Sequence, residues 1–209
     1  MGQQIEEIVV VTSNRGKLGE LQVLFSGHGV RVLGLDEFES VEAPVEDGKT
    51  FADNARLKAC YYGRILNRLV LADDSGLEVD ALGGEPGVYS ARFAEGGWAD
   101  RREQDRANWE KLLAKLKGIP KESRAARFCC CLCVVSSTKI ALEVNGYLEG
   151  YIAEEPHGEN GFGYDPVFWV PEMNKMVAEL SAEEKNLISH RGRALKKLIE
   201  KWESLEAGS

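Results

Sequence analysis

The run Ile8-Val9-Val10-Val11 stops at the polar Thr12-Ser13-Asn14, the pattern of a short buried strand. Leu18, Leu21, Val23, Leu24 and Phe25 then recur at roughly helical spacing until Gly27 and Gly29 end the helix. Val30 to Leu33 gives a second strand. Phe51, Ala55, Tyr62, Ile65, Leu66 and Leu69 predict a helix over 49–68. The apolar strand Leu69-Val70-Leu71-Ala72 follows and stops at Asp73-Asp74-Ser75-Gly76. LGGEPG (82–87) reads as a loop, and Trp109, Leu112, Leu113 and Leu116 make a stripe on a helix over 102–117, ended by Gly118 and Pro120. Residues 125–135 and 140–153 predict two long strands joined by the turn Ser136-Ser137-Thr138-Lys139. GENGFGYDP (158–166) is a glycine-rich loop before a strand at Val167–Val170. Ser181-Ala182-Glu183-Glu184 fits a capping box. Ile188, Leu195, Leu198, Ile199 and Trp202 then give a closing amphipathic helix. The whole predicts a mixed α/β fold with long antiparallel strands in its second half.

Length changes this picture little: 209 residues fit one large domain or two small lobes. No run of eighteen apolar residues offers a membrane span. The start, MGQQIEEIVVVTSN, lacks the basic region of a signal peptide. The expectation is a soluble, cytoplasmic protein that does not bind a membrane. Net charge is -8, which argues against a nucleic-acid partner. It leaves room for a compact anion held by a few lysines. Four of five cysteines crowd into FCCCLCVV (128–135). Cys130 and Cys133 have C-x-x-C spacing, but no turn residue brings the sulfurs together, and positions three apart on a strand face opposite sides. The segment therefore reads as a strand buried on both faces, with cysteine as a small hydrophobe.

Five polar constellations carry candidate chemistry. TSNRGK (12–17) stands where a strand hands over to a helix; it could bind an anion on helix N–H groups with Lys17, or serve only as a cap. In EDGKTFADNARLKA (46–59), Asn54 and Lys58 share a helix face behind Glu46. They are either site residues or solvated. LADDSG (71–76) places Asp73 and Asp74 beyond the end of a strand, where open α/β sheets bind ligands. The pair suits a hard cation such as Mg²⁺, or belongs to a plain turn. GFGYDP (161–166) offers flat faces from Phe162 and Tyr164, for a base or for a core. In SHRGRALKKL (189–198), His190 and Arg191 sit at a helix start, a poor place for cations unless their charge is needed.

Together and in order, these blocks resemble the inosine triphosphate pyrophosphatases over nearly the whole chain. TSNRGK is similar to that family's T-x-N-x-x-K opening. LADDSGLEVDALGGEPGVYSARF matches its most diagnostic stretch, and GFGYDP and K-x-x-I-S-H-R follow. One departure is Asn160 before Gly161-Phe162, where the family commonly has glycine; it touches loop flexibility and removes no functional side chain. The resemblance implies an elongated two-lobed α/β structure over 1–209, a mixed sheet with flanking helices and a central nucleotide cleft, and a homodimer. It implies that Thr12, Ser13, Asn14, Arg15, Gly16 and Lys17 bind triphosphate, and that Lys58 and Ser75 contact phosphate. Glu46 and Asp74 would hold Mg²⁺, with Asp74 also the base that activates water. Phe162, Gly163, Tyr164 and Asp165 would line the base pocket, and Lys185, His190 and Arg191 would complete recognition.

The expected reaction is Mg²⁺-dependent hydrolysis of ITP, dITP and XTP to the monophosphate and pyrophosphate. The chemistry is consistent: an anionic transition state needs a metal and cations. A pocket donor aimed at a 6-keto oxygen would reject adenine by being left unpaired. A pyrophosphatase for pyrimidine or other modified nucleotides, and a nucleotide-binding protein that does not hydrolyse, are the alternatives.

Overall fold

The computed structural model describes residues 6–39, 41–137 and 139–207. Thr138 of the expected 136–139 turn lies outside the described residues. Seven strands form one mixed sheet in the order β2-β1-β3-β4-β5-β6-β7. They are β1 (Glu7–Val10), β2 (Arg31–Leu33), β3 (Leu69–Val79), β4 (Ala125–Ser136), β5 (Lys139–Ile152), β6 (Phe168–Val170) and β7 (Lys175–Met176). β1 is parallel to β2 and β3, whereas β6 is antiparallel to β5 and β7. The helices are α1 (Arg15–Ser26), α2 (Phe51–Leu66), α3 (Arg101–Lys115), α4 (Ala182–Ile188) and α5 (His190–Ala207). No helix among the described residues is long and apolar enough to cross a membrane.

Two compact units emerge, with boundaries inside β3, β4 and β5. One holds residues up to Ser75, Cys130–Gly146 and the residues from His190 on; the other holds Gly76–Cys129 and Tyr147–Ser189. In the first unit β4 alternates between two covered faces. Cys130, Leu132 and Val134 join Leu21 and Phe25 of α1 and Leu195 and Leu198 of α5 in one core. The alternate residues face α2: a Cβ on Gly63 would stand 3.0 Å from Val135 Cγ1. Period-two burial on both faces lets cysteine serve here as a small packing residue. The second unit has its own core, with Leu77, Leu112, Leu116, Leu148, Tyr164 and Phe168 buried in it.

Four expectations are corrected. β3 does not end at Ala72 but runs on through Asp73-Asp74-Ser75-Gly76 to Val79, so the acids lie within a strand, not in a turn. Its parallel neighbour explains how that is tolerated. β1 stops at Val10, opposite Leu71, and Val11 N donates to Leu71 O at 2.9 Å. Asp73 and Asp74 therefore lie past the end of β1, where side chains of helices reach β3. Val23 and Ile65, counted as apolar-face positions of α1 and α2, are 62% and 44% exposed, because each is on the solvent side of its helix. Ile188 belongs to α4 and packs in the second core, not on the closing helix. The short β7 has no counterpart in the sequence reading, since two residues are too few to show a period.

Candidate active site

Asn14 caps α1, its Oδ1 accepting from Gly16 N at 2.9 Å and Lys17 N at 3.2 Å. Thr12 Oγ1 in turn accepts from Asn14 N at 3.1 Å. The cap fixes the first helical turn and directs Lys17 inward, where Nζ pairs with Asp73 Oδ1 at 2.6 Å. Ser13 and Arg15 are exposed.

Asp73 is a buried hub. Oδ1 also accepts from Ser75 Oγ at 2.8 Å; Oδ2 accepts from Arg191 Nε at 2.7 Å and from the Cys130 thiol at 3.4 Å. Burial would raise its pKa, but Arg191 and Lys17 outweigh burial and hold the carboxyl well below the usual range. Arg191 is itself 1% exposed. Its other nitrogens go to Glu20 of α1 and, at 2.9 Å, to Ser75 Oγ. In this conformation Arg191 builds the site from within the protein. His190 is buried beside it in the first turn of α5. Gly146 of β5 approaches so closely that a Cβ there would sit 2.0 Å from His190 O.

Asp74 points differently. Oδ1 accepts from Lys58 Nζ at 3.0 Å, while the buried Oδ2 has no hydrogen-bond donor among the described residues. Burial raises its pKa against the opposing pull of Lys58 and Lys17. Lys58 Nζ also donates to Asp73 O at 3.0 Å and lies 3.3 Å from Glu46 Oε2. Burial would lower the lysine's pKa, but Asp74 and Glu46 reverse that and keep it charged. The segment that carries Glu46 is tied to α2 two residues on, where Gly48 N donates to Oδ1 of the buried Asn54 at 2.8 Å. Asn54 is thus 1% exposed and pins a loop; it is not solvated as its sequence position allowed.

Among the described residues no three or more His, Cys, Asp and Glu side chains gather as a metal cage. Mg²⁺ does not require one: it takes one or two carboxylates plus waters and substrate phosphates. Glu46 and Asp74, both within reach of one ammonium group, with Asp74 Oδ2 accepting no bond from the described residues, are an all-oxygen donor set that fits.

The second unit carries the glycine loop. Gly161 and Gly163 adopt φ of +79° and +64°, conformations that favour glycine. A Cβ at Gly161 would stand 2.0 Å from Asp165 Oδ2. That oxygen accepts from Phe162 N at 2.9 Å and from Lys185 Nζ at 2.7 Å. Lys185 Nζ lies 4.5 Å from the Phe162 ring centroid, and the ring is half-buried. Tyr164 is buried and donates from its hydroxyl to Ser90 O at 2.9 Å. Asn160 N and Nδ2 donate to Ala178 O and Leu180 O at 3.0 and 3.1 Å. The departure from glycine at this position ties the loop down.

The structure thus brings Lys17, Asp73, Ser75 and Arg191 into one network and Glu46, Lys58 and Asp74 into another, bridged by Lys58. In the other unit it gathers Phe162, Gly163, Tyr164, Asp165 and Lys185. Sequence reasoning missed Glu20, Cys130 and Asp105, whose Oδ2 accepts from Gly163 N at 2.8 Å. Glu20 had a signal in its i,i+3 spacing from Lys17. Asp105 had one too: it is seven residues before Leu112, on the same buried stripe.

Half-buried lysines set against two buried carboxylates on an α/β sheet define a site for an anion, with a carboxylate poised to accept a proton. The chain belongs to the Ham1 family, whose profile matches residues 8–201. It is 50% identical over 204 residues to a dITP/XTP pyrophosphatase of Geobacillus kaustophilus (strain HTA426), covering 98% of each chain. It is 48% identical over 194 residues to the dITP/XTP pyrophosphatase of Bacillus subtilis (strain 168), covering 93% of this chain and 96% of that one. Among solved structures, a HAM1 protein from Coxiella burnetii matches with a TM-score of 0.82 at 38% identity, over 95% of this chain and 98% of that one. The Staphylococcus aureus Ham1 protein matches with a TM-score of 0.78 at 42% identity, over 97% and 100%.

Proposed function

We propose that this chain is a nucleoside triphosphate pyrophosphatase that hydrolyses non-standard purine nucleoside triphosphates, ITP, dITP and XTP, to the monophosphate and pyrophosphate. Its full-length similarity to dITP/XTP pyrophosphatases supports the substrate class. The observation that carries the chemistry is Asp74: a buried carboxylate with raised pKa, one oxygen on Lys58 and the other accepting no bond from the described residues. Raised basicity is what a proton acceptor at neutral pH needs. Water attacks the α-phosphorus, Asp74 Oδ2 takes the water proton, and the bond from the α-phosphorus to the bridging oxygen breaks. The departing pyrophosphate keeps the electron pair.

Lys17 and Lys58 meet the phosphate charge, with Thr12–Gly16 presenting the capped N-terminus of α1 and Ser75 its hydroxyl. Glu46 and Asp74 would hold Mg²⁺, which when bound would neutralise phosphate charge and acidify water. Asp73, with both oxygens engaged, acts by fixing Lys17, Ser75 and Arg191. Phe162 offers a face to the base, and Lys185 with Gly163, Tyr164 and Asp165 sets the polar surround; His190 completes recognition, and Arg191 supports the site from within by holding Asp73 and Ser75. Both units then serve one enzyme domain, acting as a homodimer in the cytoplasm.

The test is release of pyrophosphate from ITP, dITP, XTP, GTP, ATP and dUTP, with and without Mg²⁺. Fast release from the first three only, and only with Mg²⁺, is expected. Orthophosphate as product, or dUTP as the preferred substrate, would refute the reading.

A further inference from the structure

We propose that Asp105 of α3 is a positioning residue for base selection, holding the glycine loop in the one conformation that presents Phe162 to the base. This rests on the role given above to that loop. Asp105 is 7% exposed, and its Oδ2 accepts from Gly163 N at 2.8 Å. Oδ1 lies 2.9 Å from Arg101 Nε, off the hydrogen-bond line, as an ion pair one helical turn away. Asp165 accepts from Phe162 N at 2.9 Å. Consecutive amides of the loop, at Phe162 and Gly163, are therefore each held by a buried carboxylate. Between residues with positive φ at Gly161 and Gly163, such anchors remove conformations that glycine otherwise keeps open.

A carboxylate is more than packing requires here. Three residues on, Asn108 of α3 does a similar job with a neutral amide, its Oδ1 accepting from Ala94 N at 2.7 Å and its Nδ2 donating to Ala91 O. Burying an acid costs more than burying an amide. At nearly equal length, 2.8 Å for Asp105 against 2.7 Å for Asn108, a charge-assisted bond is about twice as strong. The stronger anchor stands at the loop assigned to the base, the weaker one at a loop with no such assignment. A stiff loop presents a preformed surface, and a preformed surface discriminates between bases because it cannot relax around the wrong one.

The experiment compares wild type with Asp105→Asn and Asp105→Glu, reading kcat and KM for ITP and for ATP together with Tm. The ratio of kcat/KM for ITP over ATP is expected to fall about tenfold in Asp105→Asn, with the loss in KM for ITP rather than in kcat. Asp105→Glu keeps the charge but moves it by one methylene, so the ratio should fall about threefold. If Asp105→Asn does not fold, the glutamate variant decides on the same ratio. A folded variant with lowered Tm and an unchanged ratio overturns the proposal. Wild type that fails to turn over ITP would overturn the functional reading itself, which is a different result from active enzyme with unaltered selectivity.

Discussion

Asp73 and Asp74 are neighbours in sequence with opposite fates. On a strand, adjacent side chains leave opposite faces. One enters a nest of two cations, a hydroxyl and a thiol and is held strongly ionised; the other meets one lysine in a buried place and becomes more basic. Two carboxylates with separated pKa values divide the labour of a site. Asp74→Asn should therefore lower kcat for ITP by roughly 10²–10⁴-fold, the span of general-base catalysis, and single-turnover kinetics would show the loss in the chemical step. Asp73→Asn should act on stability. It leaves Arg191 and Lys17 without their shared anion, and breaking a buried pair costs roughly 3–5 kcal/mol, readable in urea unfolding. The sign with pH follows. A carboxyl depressed in the folded state contributes stability that is complete above its unfolded pKa, near 3.8. That contribution is lost as pH falls through the lower folded value. In EDTA, the acid side of the wild-type stability curve should thus be steeper than that of Asp73→Asn.

At the scale of elements, the alternation and helical periods in the sequence located β1, α1, α2, α3, β4, β5 and α5 to within a few residues. The ordered polar blocks carried most of the candidate site as well. The misses have a common cause. β3 looked finished at Ala72 because two acids and a glycine contradict a buried strand. Only its partners, β1 ending at Val10 and Lys17, Lys58 and Arg191 arriving from three helices, make such a continuation affordable. The buried Asp105 and the half-buried Glu20 escaped because such an acid shows its purpose through a partner distant in sequence, 58 residues away for Asp105 and 171 for Glu20. The cysteine strand was legible because periodicity alone decides it. Burial pushes the Cys131 and Cys133 thiols up to about 12, and Cys129 and Cys130 higher still. At pH 8 roughly one in ten thousand of such thiols is thiolate. Native protein treated with iodoacetamide should label at Cys60 alone, which is half-buried on α2; after unfolding in guanidinium all five should label. Rapid native labelling within 129–133 would mean that β4 opens far more readily than its two covered faces allow.

Over the whole molecule, charge sets the terms of binding. The chain carries -8, so an anionic substrate gains nothing from the protein's overall field. Locally the position is similar. In the first unit three cations, Lys17, Lys58 and Arg191, stand among four carboxylates, Glu20, Glu46, Asp73 and Asp74. Every one of those cations is already paired, so none offers a full charge to a newcomer. A triphosphate brings about four negative charges into a place that is formally negative. Lysines alone cannot balance this; a divalent ion held by Glu46 and Asp74 would supply the missing positive charge. Metal should therefore control affinity as well as turnover. Calorimetric titration with an α,β-imido analogue of ITP, which cannot release pyrophosphate, separates the two. In Mg²⁺ the analogue is expected to bind at least about a hundredfold more tightly than in EDTA, a difference of about 2.7 kcal/mol. Glu46→Gln should lose much of that difference while keeping the residual metal-free affinity. Equal affinity with and without Mg²⁺ would mean that Lys17 and Lys58 release their carboxylates and neutralise the phosphates themselves. Glu46 and Asp74 would then lose their assignment as metal ligands.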